Sequence, residues 1–172
     1  MGHLQSGFIA EFKKSFAARF DIEPLWGGGQ TLDNCARLRE RPSLRRNGIY
    51  KKSERFELGD LIATINGHKL IVEYDGSGVA LHNLVKFWPY INNQMDQEPE
   101  CPIIMCHFSD WGSYGAYRDL WAWMNDKMQQ YPKSQMFKAQ QFDHGKHDDT
   151  IRNKSIKDAL DWLSEELKLP QA

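Results

Sequence analysis

The sequence lacks the features that mark membrane proteins, secreted proteins and disulfide-rich proteins. No apolar run approaches the roughly 20 residues of a membrane-spanning helix. The first residues, MGHLQSGF, do not have the basic and then apolar order of a signal peptide. The three cysteines form neither a disulfide framework nor a CxxC pair, so we expect reduced thiols. We therefore expect a cytoplasmic protein with no membrane partner.

A strong net charge is also missing. The 172 residues carry a formal net charge of -1, with 26% charged and 41% hydrophobic residues, which is ordinary for a globular protein. This balance gives no global attraction to nucleic acid, so any such binding must come from a local patch. The length suits one hydrophobic core. We expect a single domain over residues 1–172.

One segment, 37–55, holds such a patch. Eight basic and two acidic side chains give it a net charge of +6. The basic side chains are those of Arg37, Arg39, Arg41, Arg45, Arg46, Lys51, Lys52 and Arg55. A basic strip attracts phosphate groups, and a solvated surface loop is the simpler alternative. We predict that this strip binds DNA, with RNA as the alternative partner.

The spacing of apolar residues predicts an α/β protein with a central mixed sheet. Helical spacing is found over residues 4–20, 81–88, 117–130 and about 151–168. Strand-like runs cover residues 49–56, a hairpin within 57–75, and the segments 102–109 and 137–142. We expect an αβββαβ core over about residues 4–109 and a C-terminal helical extension over about 117–168.

The clearest local signal is Asn66-Gly67 between two alternating runs. This dipeptide favours a two-residue hairpin turn of type I′. With such a turn, Ile65 pairs with His68, and the numbers of all paired residues sum to 133. A slip of one residue would turn every side chain to the other face. The turn therefore decides which side chains meet.

This register brings carboxylates together on one face of the hairpin. Asp60 lies directly across from Glu73, and Asp75 shares their face. Two carboxylates about 5 Å apart repel by roughly 3 kcal/mol at an effective dielectric of about 20, and a cation or a proton must offset this. Hard divalent ions take one or two carboxylates together with waters and phosphate oxygens. The pattern predicts a Mg²⁺ or Mn²⁺ site; solvated strand ends, with Asp75 capping the next helix, are the alternative.

The acids and the order of elements around them resemble the PD-(D/E)XK nuclease superfamily, which has the restriction-endonuclease-like fold. Asp60 matches the first half of its motif and Glu73-Tyr74-Asp75 the second. Gly59 stands where the family has Pro, and Asp75 stands where it usually has Lys. The resemblance implies that Asp60, Glu73 and the backbone carbonyl of Tyr74 hold the ion. Asp75 would be a second carboxylate ligand or would orient water.

Two further residues complete the predicted site. Lys86, on the helix after the hairpin, is the candidate for a catalytic lysine that has moved from the position of Asp75. Glu11, on the first helix, resembles the additional helix acid that some family members contribute to metal binding. An exposed helix position is the simpler alternative for both residues.

We expect a metal-dependent DNA endonuclease, a hydrolase with a role in restriction, defence, mobile elements or repair. The metal would activate a water for attack on phosphorus, and Lys86 would steady the attacking or leaving charge. One alternative is a non-catalytic nucleic-acid-binding module on the same fold. Another is a protein-interaction domain whose aromatic helix, with Trp123, docks a partner. Many nucleases of this fold act as dimers, so the resemblance also implies a homodimer as one option.

Residues 143–149 contain His and Asp side chains of the kind that bind zinc. No cysteine or HExxH pattern accompanies them. The simpler prediction is that Asp149 or Thr150 caps the last helix.

Overall fold

The computed structural model describes residues 3–28, 35–36, 56–76, 80–94, 101–112, 115–131 and 134–169. The helices are α1 (His3–Phe20), α2 (Leu81–Val85), α3 (Trp88–Ile91), α4 (Gly115–Met128) and α5 (Asp149–Leu167). The strands are β1 (Cys35–Ala36), β2 (Phe56–Glu57), β3 (Leu61–Ile65), β4 (His68–Tyr74), β5 (Ile103–Ser109) and β6 (Phe137–Asp143). The predicted α/β class is confirmed, as are the helices predicted over residues 4–20, 117–130 and about 151–168.

The central sheet is mixed, as predicted, and has the order β3-β4-β5-β6. The hairpin strands β3 and β4 are antiparallel, whereas β5 and β6 each run parallel to their neighbour. The strand predicted over residues 49–56 lies almost wholly outside the described residues. Its described end belongs to β2, which pairs with β1 in a separate two-stranded sheet. The described central sheet therefore has two strands before α2, β3 and β4, where three are predicted. Its other two strands are β5 and β6.

The hairpin has the predicted register. Ile65 lies opposite His68, and each further pair follows the same sum. Asn66 and Gly67 have φ angles of 46° and 73°, and a type I′ turn requires positive φ at both central positions. Asparagine and glycine tolerate this region better than other residues. The turn chemistry thus fixes which face each strand residue occupies.

Both faces of the central sheet are covered by helices. α1 and α5 pack on one face, where Phe12 and Phe16 are fully buried. α2, α3 and α4 cover the other face through residues such as Phe87 and Trp121. Burial on both faces accounts for the apolar composition of β5, which is buried along its whole length.

Two helix boundaries differ from the sequence prediction. The predicted helix over residues 81–88 is two short helices, because α2 ends at Val85 and Pro89 lies in the first turn of α3, where its missing N–H is tolerated. The cap of α5 is Asp148, not Asp149 or Thr150. Its Oδ1 accepts hydrogen bonds from the backbone N–H groups of Thr150 and Ile151 at 2.9 and 3.1 Å.

The predicted nucleic-acid-binding strip lies outside the described residues. Its members are Arg37, Arg39, Arg41, Arg45, Arg46, Lys51, Lys52 and Arg55. Their role stays a prediction from the sequence. Within the described ranges, no helix combines the length and the apolar character needed to cross a bilayer.

Candidate functional site: a polar cavity beside the hairpin

The carboxylate-bearing face of the hairpin borders a polar cavity of about 360 Å³. This volume lies within the range of about 300–1,000 Å³ that is usual for ligand sites. The residues that line it come from β2, from the two hairpin strands and their ends, and from α2 with its C-terminal cap. They are Phe56, Glu57, Asp60, Glu73, Tyr74, Asp75, His82, Asn83 and Lys86.

Asp60 lies one residue beyond the end of the antiparallel ladder. The last paired residues are Leu61 and Val72, so Asp60 and Glu73 occupy the next step. The Oδ2 atom of Asp60 accepts a hydrogen bond from the backbone N–H of Tyr74 at 2.8 Å. In an extended strand the N–H and C=O of one residue point to the same side, so the Tyr74 carbonyl also faces the side of Asp60. Burial raises the pKa of Asp60, although the Tyr74 N–H lowers it in part.

Glu73 and Lys86 form a buried hydrogen-bonded pair. The Nζ atom of Lys86 donates to Oε1 of Glu73, and the two side chains are 7% and 6% exposed. Burial raises the pKa of Glu73 to about 8; the charge and hydrogen bond of Lys86 oppose this, and the charges of Asp60 and Asp75 add to it. The structure thus brings Asp60, Glu73 and Lys86 to one cavity, as the hairpin register and the position of α2 predict.

Asp75 is held by three hydrogen-bond donors. Its Oδ1 accepts from Nδ2 of Asn83 at 2.8 Å. Its Oδ2 accepts from the backbone N–H of Ala80 at 2.7 Å and lies 2.5 Å from Nε2 of His107. Burial alone would raise the pKa of Asp75, but the hydrogen bond and charge of His107 and the Ala80 N–H lower it below its usual value. These contacts agree with the alternative role of Asp75 at the start of α2, and its role as a metal ligand stays a prediction.

His107 is a member of this cluster that the sequence pattern does not single out. It lies on β5 beside Glu73 and is completely buried. An ionised carboxylate only accepts hydrogen bonds, so Nε2 of His107 donates to Asp75. Its Nδ1 atom has no hydrogen-bond partner within the described part of the chain. The face of the sheet on which His107 lies depends on the parallel pairing of β5 with β4. No hairpin turn joins these two strands, so the sequence does not fix their register.

Asn83 connects Asp75 to Lys86. Its Nδ2 donates to Asp75, and its Oδ1 lies 3.3 Å from Nζ of Lys86. Asn83 and Lys86 are three residues apart, the spacing at which helix side chains are neighbours. This spacing is a signal that could have identified Asn83 from the sequence. Glu57 also lines the cavity, and burial together with the charge of Asp60 raises its pKa.

Glu11 is not among the residues that line the cavity. Its Oε2 atom lies 2.9 Å from Nε of Arg152 on α5. The residue of α1 that hydrogen-bonds to Asp60 is instead Gln5. Glu11 lies six positions after Gln5 on α1, which corresponds to a rotation of about 240°. The two side chains therefore leave α1 in different directions, and the structure does not bring Glu11 to the cavity.

His144 contacts the end of β4 on the side where the Tyr74 ring lies. Its Nε2 donates to the backbone carbonyl of Asp75 at 2.9 Å, and its Nδ1 accepts from the Lys146 N–H at 2.9 Å. The ring stacks on Tyr74 with centroids 4.7 Å apart. Burial lowers the pKa of His144, so the neutral ring is favoured. Because both ring nitrogens bond to the backbone, His144 is not available as a zinc ligand.

The residues present fit a hard divalent ion only in part. In the described part of the chain, no three His, Cys, Asp or Glu side chains converge on a point where they would hold a metal. Asp60 and Glu73, however, engage one oxygen each with Tyr74 and Lys86. Mg²⁺ needs only one or two carboxylates when waters and substrate phosphate oxygens complete its shell. Asp60, Glu73 and the Tyr74 carbonyl therefore fit such an ion, whereas both oxygens of Asp75 already accept hydrogen bonds.

Comparison of the chain with protein-family models, with curated proteins and with solved structures finds no match in any of the three. The resemblance to the PD-(D/E)XK superfamily therefore rests on the acids, their spacing and the order of elements predicted from the sequence, and the central sheet reproduces that order only in part. The specific fold, as distinct from the α/β class, stays a prediction.

Proposed function

We propose that the protein is a divalent-metal-dependent phosphodiesterase that cuts DNA. The observation that carries this proposal is the buried Glu73–Lys86 pair beside Asp60 in a polar cavity. Two acids that can share a hard cation, together with a lysine, are the groups that phosphodiester hydrolysis needs. The basic strip over residues 37–55 supports nucleic acid as the substrate.

Asp60 and Glu73 would hold the cation, together with the carbonyl of Tyr74. Once bound, the ion would lower the pKa of a coordinated water and offset the negative charge that develops on phosphorus. Burial raises the pKa of both acids, and an opposite charge within about 4–6 Å favours the ionised form of each. The two carboxylates therefore gain more from a cation than exposed acids would.

Lys86 would act on the phosphate. An ammonium group has three N–H donors, of which Glu73 takes one and Asn83 lies close to a second. Within the described residues the third donor has no hydrogen-bond partner, so it would contact a phosphate oxygen or the leaving oxygen, where a fixed positive charge stabilises the transition state. Asn83 is a positioning residue, since it acts on the phosphate only through Lys86.

The test is cleavage of supercoiled and single-stranded DNA by the purified protein with Mg²⁺ or Mn²⁺. A reaction with EDTA runs in parallel. Glu73→Gln and Lys86→Met should each lower the cleavage rate by about 100-fold or more, because each removes a group at the reacting phosphate. Glu165→Gln and Lys154→Met make the same chemical changes at exposed positions of α5. Both should cut at the wild-type rate.

The proposal fails if cleavage persists in EDTA, or if Glu73→Gln cuts as fast as Glu165→Gln. Cleavage that persists in EDTA would not need a metal. Cleavage by Glu73→Gln at the rate of Glu165→Gln would not depend on this cavity. Circular dichroism of each variant establishes that a lost activity is not a lost fold.

A second candidate function is a nucleic-acid-binding module that does not cut. One observation favours it: Asp75 stands at the family's usual lysine position and is fully engaged by His107, Asn83 and Ala80. A folded protein that binds DNA in a salt-dependent manner, yet does not cut it with either metal, would support this reading.

A further inference from the structure

A second cavity lies on the other side of Asp60. It has a volume of about 430 Å³ and is bordered by α1, by the chain that follows α1, and by the start of β3. Asp60 lines both cavities. A ligand in the second cavity would therefore lie directly beside the candidate site.

Bare backbone forms one wall of this cavity. Gly27 exchanges two backbone hydrogen bonds with Ile62, each 2.7 Å long. Gly28 has a φ of +150°, and a Cβ atom there would lie 2.2 Å from the carbonyl oxygen of Asp60. Only glycine allows the chain to approach Asp60 so closely. This wall is therefore held in place and has no side chains that would fill the cavity.

The remaining walls combine an aromatic ring, apolar groups and a cation. Trp26 contributes the ring, and edge-to-face contacts with Phe12 and Phe16 at 6.4 and 5.3 Å fix its position. Ile9 adds apolar surface, and Lys13 brings positive charge. Aromatic surface for stacking next to a cation for the backbone is how proteins bind unpaired nucleotides.

We infer that this cavity binds an unpaired nucleoside next to the phosphodiester at Asp60 and Glu73, so that the substrate is single-stranded DNA. This inference rests on the proposed function. A base within a duplex is stacked and paired, and it would have to leave the stack to enter a cavity. Lys13 contacts the phosphate of the bound nucleotide, and Trp26 contacts its base.

The test measures binding by fluorescence anisotropy in EDTA, so that no cleavage occurs. The probes are a labelled oligothymidylate, an abasic oligomer with the same number of phosphates, and a blunt duplex. Ala10 is an exposed α1 residue at the mouth of the cavity, and Ala10→Phe fills it. The matched control is Ala18→Phe, which is exposed on the same helix and borders a different groove.

Ala10→Phe should weaken oligothymidylate binding by about tenfold or more, the size of a lost base-stacking contact. It should leave binding of the abasic oligomer and of the duplex unchanged. Ala18→Phe should bind all three probes as the wild type does. Lys13→Gln should weaken both single-stranded probes and reduce the slope of log affinity against log salt by about 0.7, the value for one phosphate contact on a single strand. Lys14→Gln, one residue along the helix, is its control.

The inference is overturned if Ala10→Phe behaves like Ala18→Phe, or if the abasic oligomer binds as tightly as oligothymidylate. Cleavage assays separate this failure from failure of the proposed function. Wild-type rates of single-strand cutting by Ala10→Phe would overturn the cavity assignment and leave the nuclease intact. Base-dependent binding that Ala10→Phe abolishes, in a protein that does not cut, would uphold the nucleoside site without the nuclease.

Discussion

The protonation of Glu73 should control how stability depends on pH. Burial raises the pKa of this carboxyl from its ordinary value of 4.5 to about 8 in the folded protein. The folded state therefore binds the proton more tightly than the unfolded chain does. The stability that Glu73 contributes is fully present below pH 4.5 and is lost as the pH rises through about 8.

The size of the effect follows from the two pKa values. Between them, one proton more is bound in the folded state, so each pH unit lowers the free energy of unfolding by about 1.4 kcal/mol. Over the whole window the loss is on the order of 5 kcal/mol. From about pH 5.5 to about pH 7.5, Glu73 alone should account for about 3 kcal/mol.

The perturbation is Glu73→Gln, which cannot ionise but keeps an oxygen that accepts from Lys86. Urea denaturation at several pH values gives the free energy of unfolding for the wild type and the variant. Whatever the variant loses in absolute stability, its slope between about pH 5.5 and 7.5 should be flatter than that of the wild type by about 1.4 kcal/mol per unit. Glu165→Gln, at an exposed position on α5, should retain the wild-type slope.

Equal slopes for Glu73→Gln and the wild type would refute this reasoning. Glu73 would then be ionised in both the folded and the unfolded state over this range. In that case the attraction of Lys86 outweighs burial, and the site is a permanent ion pair. The stabilisation by Mg²⁺ would then vary little with pH. If Glu73 is instead protonated, the ion must displace its proton, so the stabilisation by Mg²⁺ should increase as the pH rises.

The neighbouring contacts give three more measurable expectations. Mg²⁺ at about 100 times its dissociation constant should raise the free energy of unfolding by about 2.7 kcal/mol relative to NaCl of equal ionic strength. If Mg²⁺ stabilises Asp60→Asn by the same amount, Asp60 is not a ligand of the ion. Asp75→Asn should lower that free energy at neutral pH by about 1.5–3 kcal/mol, because a neutral amide replaces the carboxylate bonded to His107. Since the folded pKa of Asp75 is lowered, its contribution is lost as pH falls, so denaturation in acid should show a smaller difference. Gly28→Ala should destabilise by more than about 1 kcal/mol, because the new Cβ would lie 2.2 Å from backbone oxygen; an unchanged melting temperature would contradict this.

The hairpin could be predicted from the sequence because the two residues of its turn determine its register. Asn66 and Gly67 select one turn type, and that turn fixes the register of every pair back to Leu61 and Val72. The proximity of Asp60 to Glu73 follows from the same turn. No distant part of the chain is needed to deduce it.

The partners of Asp75 could not be deduced in this way. His107 comes to Asp75 through the parallel pairing of β4 with β5, a contact across 32 residues that no turn encodes. His144 reaches the same residue across 69 residues. Alternation of side chains gives two choices of face for each strand, and only tertiary packing selects between them. The sequence therefore predicts the acids of the site but not the histidines that hold them.

The acid at position 75 and the lysine at position 86 are physically connected. Asp75 binds the backbone N–H of Ala80 and the amide of Asn83, so it fixes the start of α2 against the end of β4. Lys86 is the C-terminal cap of the same helix, three residues after Asn83, and reaches Glu73 from there. Under the proposed function, Asp75 docks the helix from whose end Lys86 reaches Glu73, at the position where the PD-(D/E)XK superfamily usually has Lys. On this argument, Asp75→Lys would not restore a family-like site, because it would release α2 and withdraw Lys86 from Glu73. Cleavage by Asp75→Lys at or above the wild-type rate would show instead that position 75 is the natural place for the lysine.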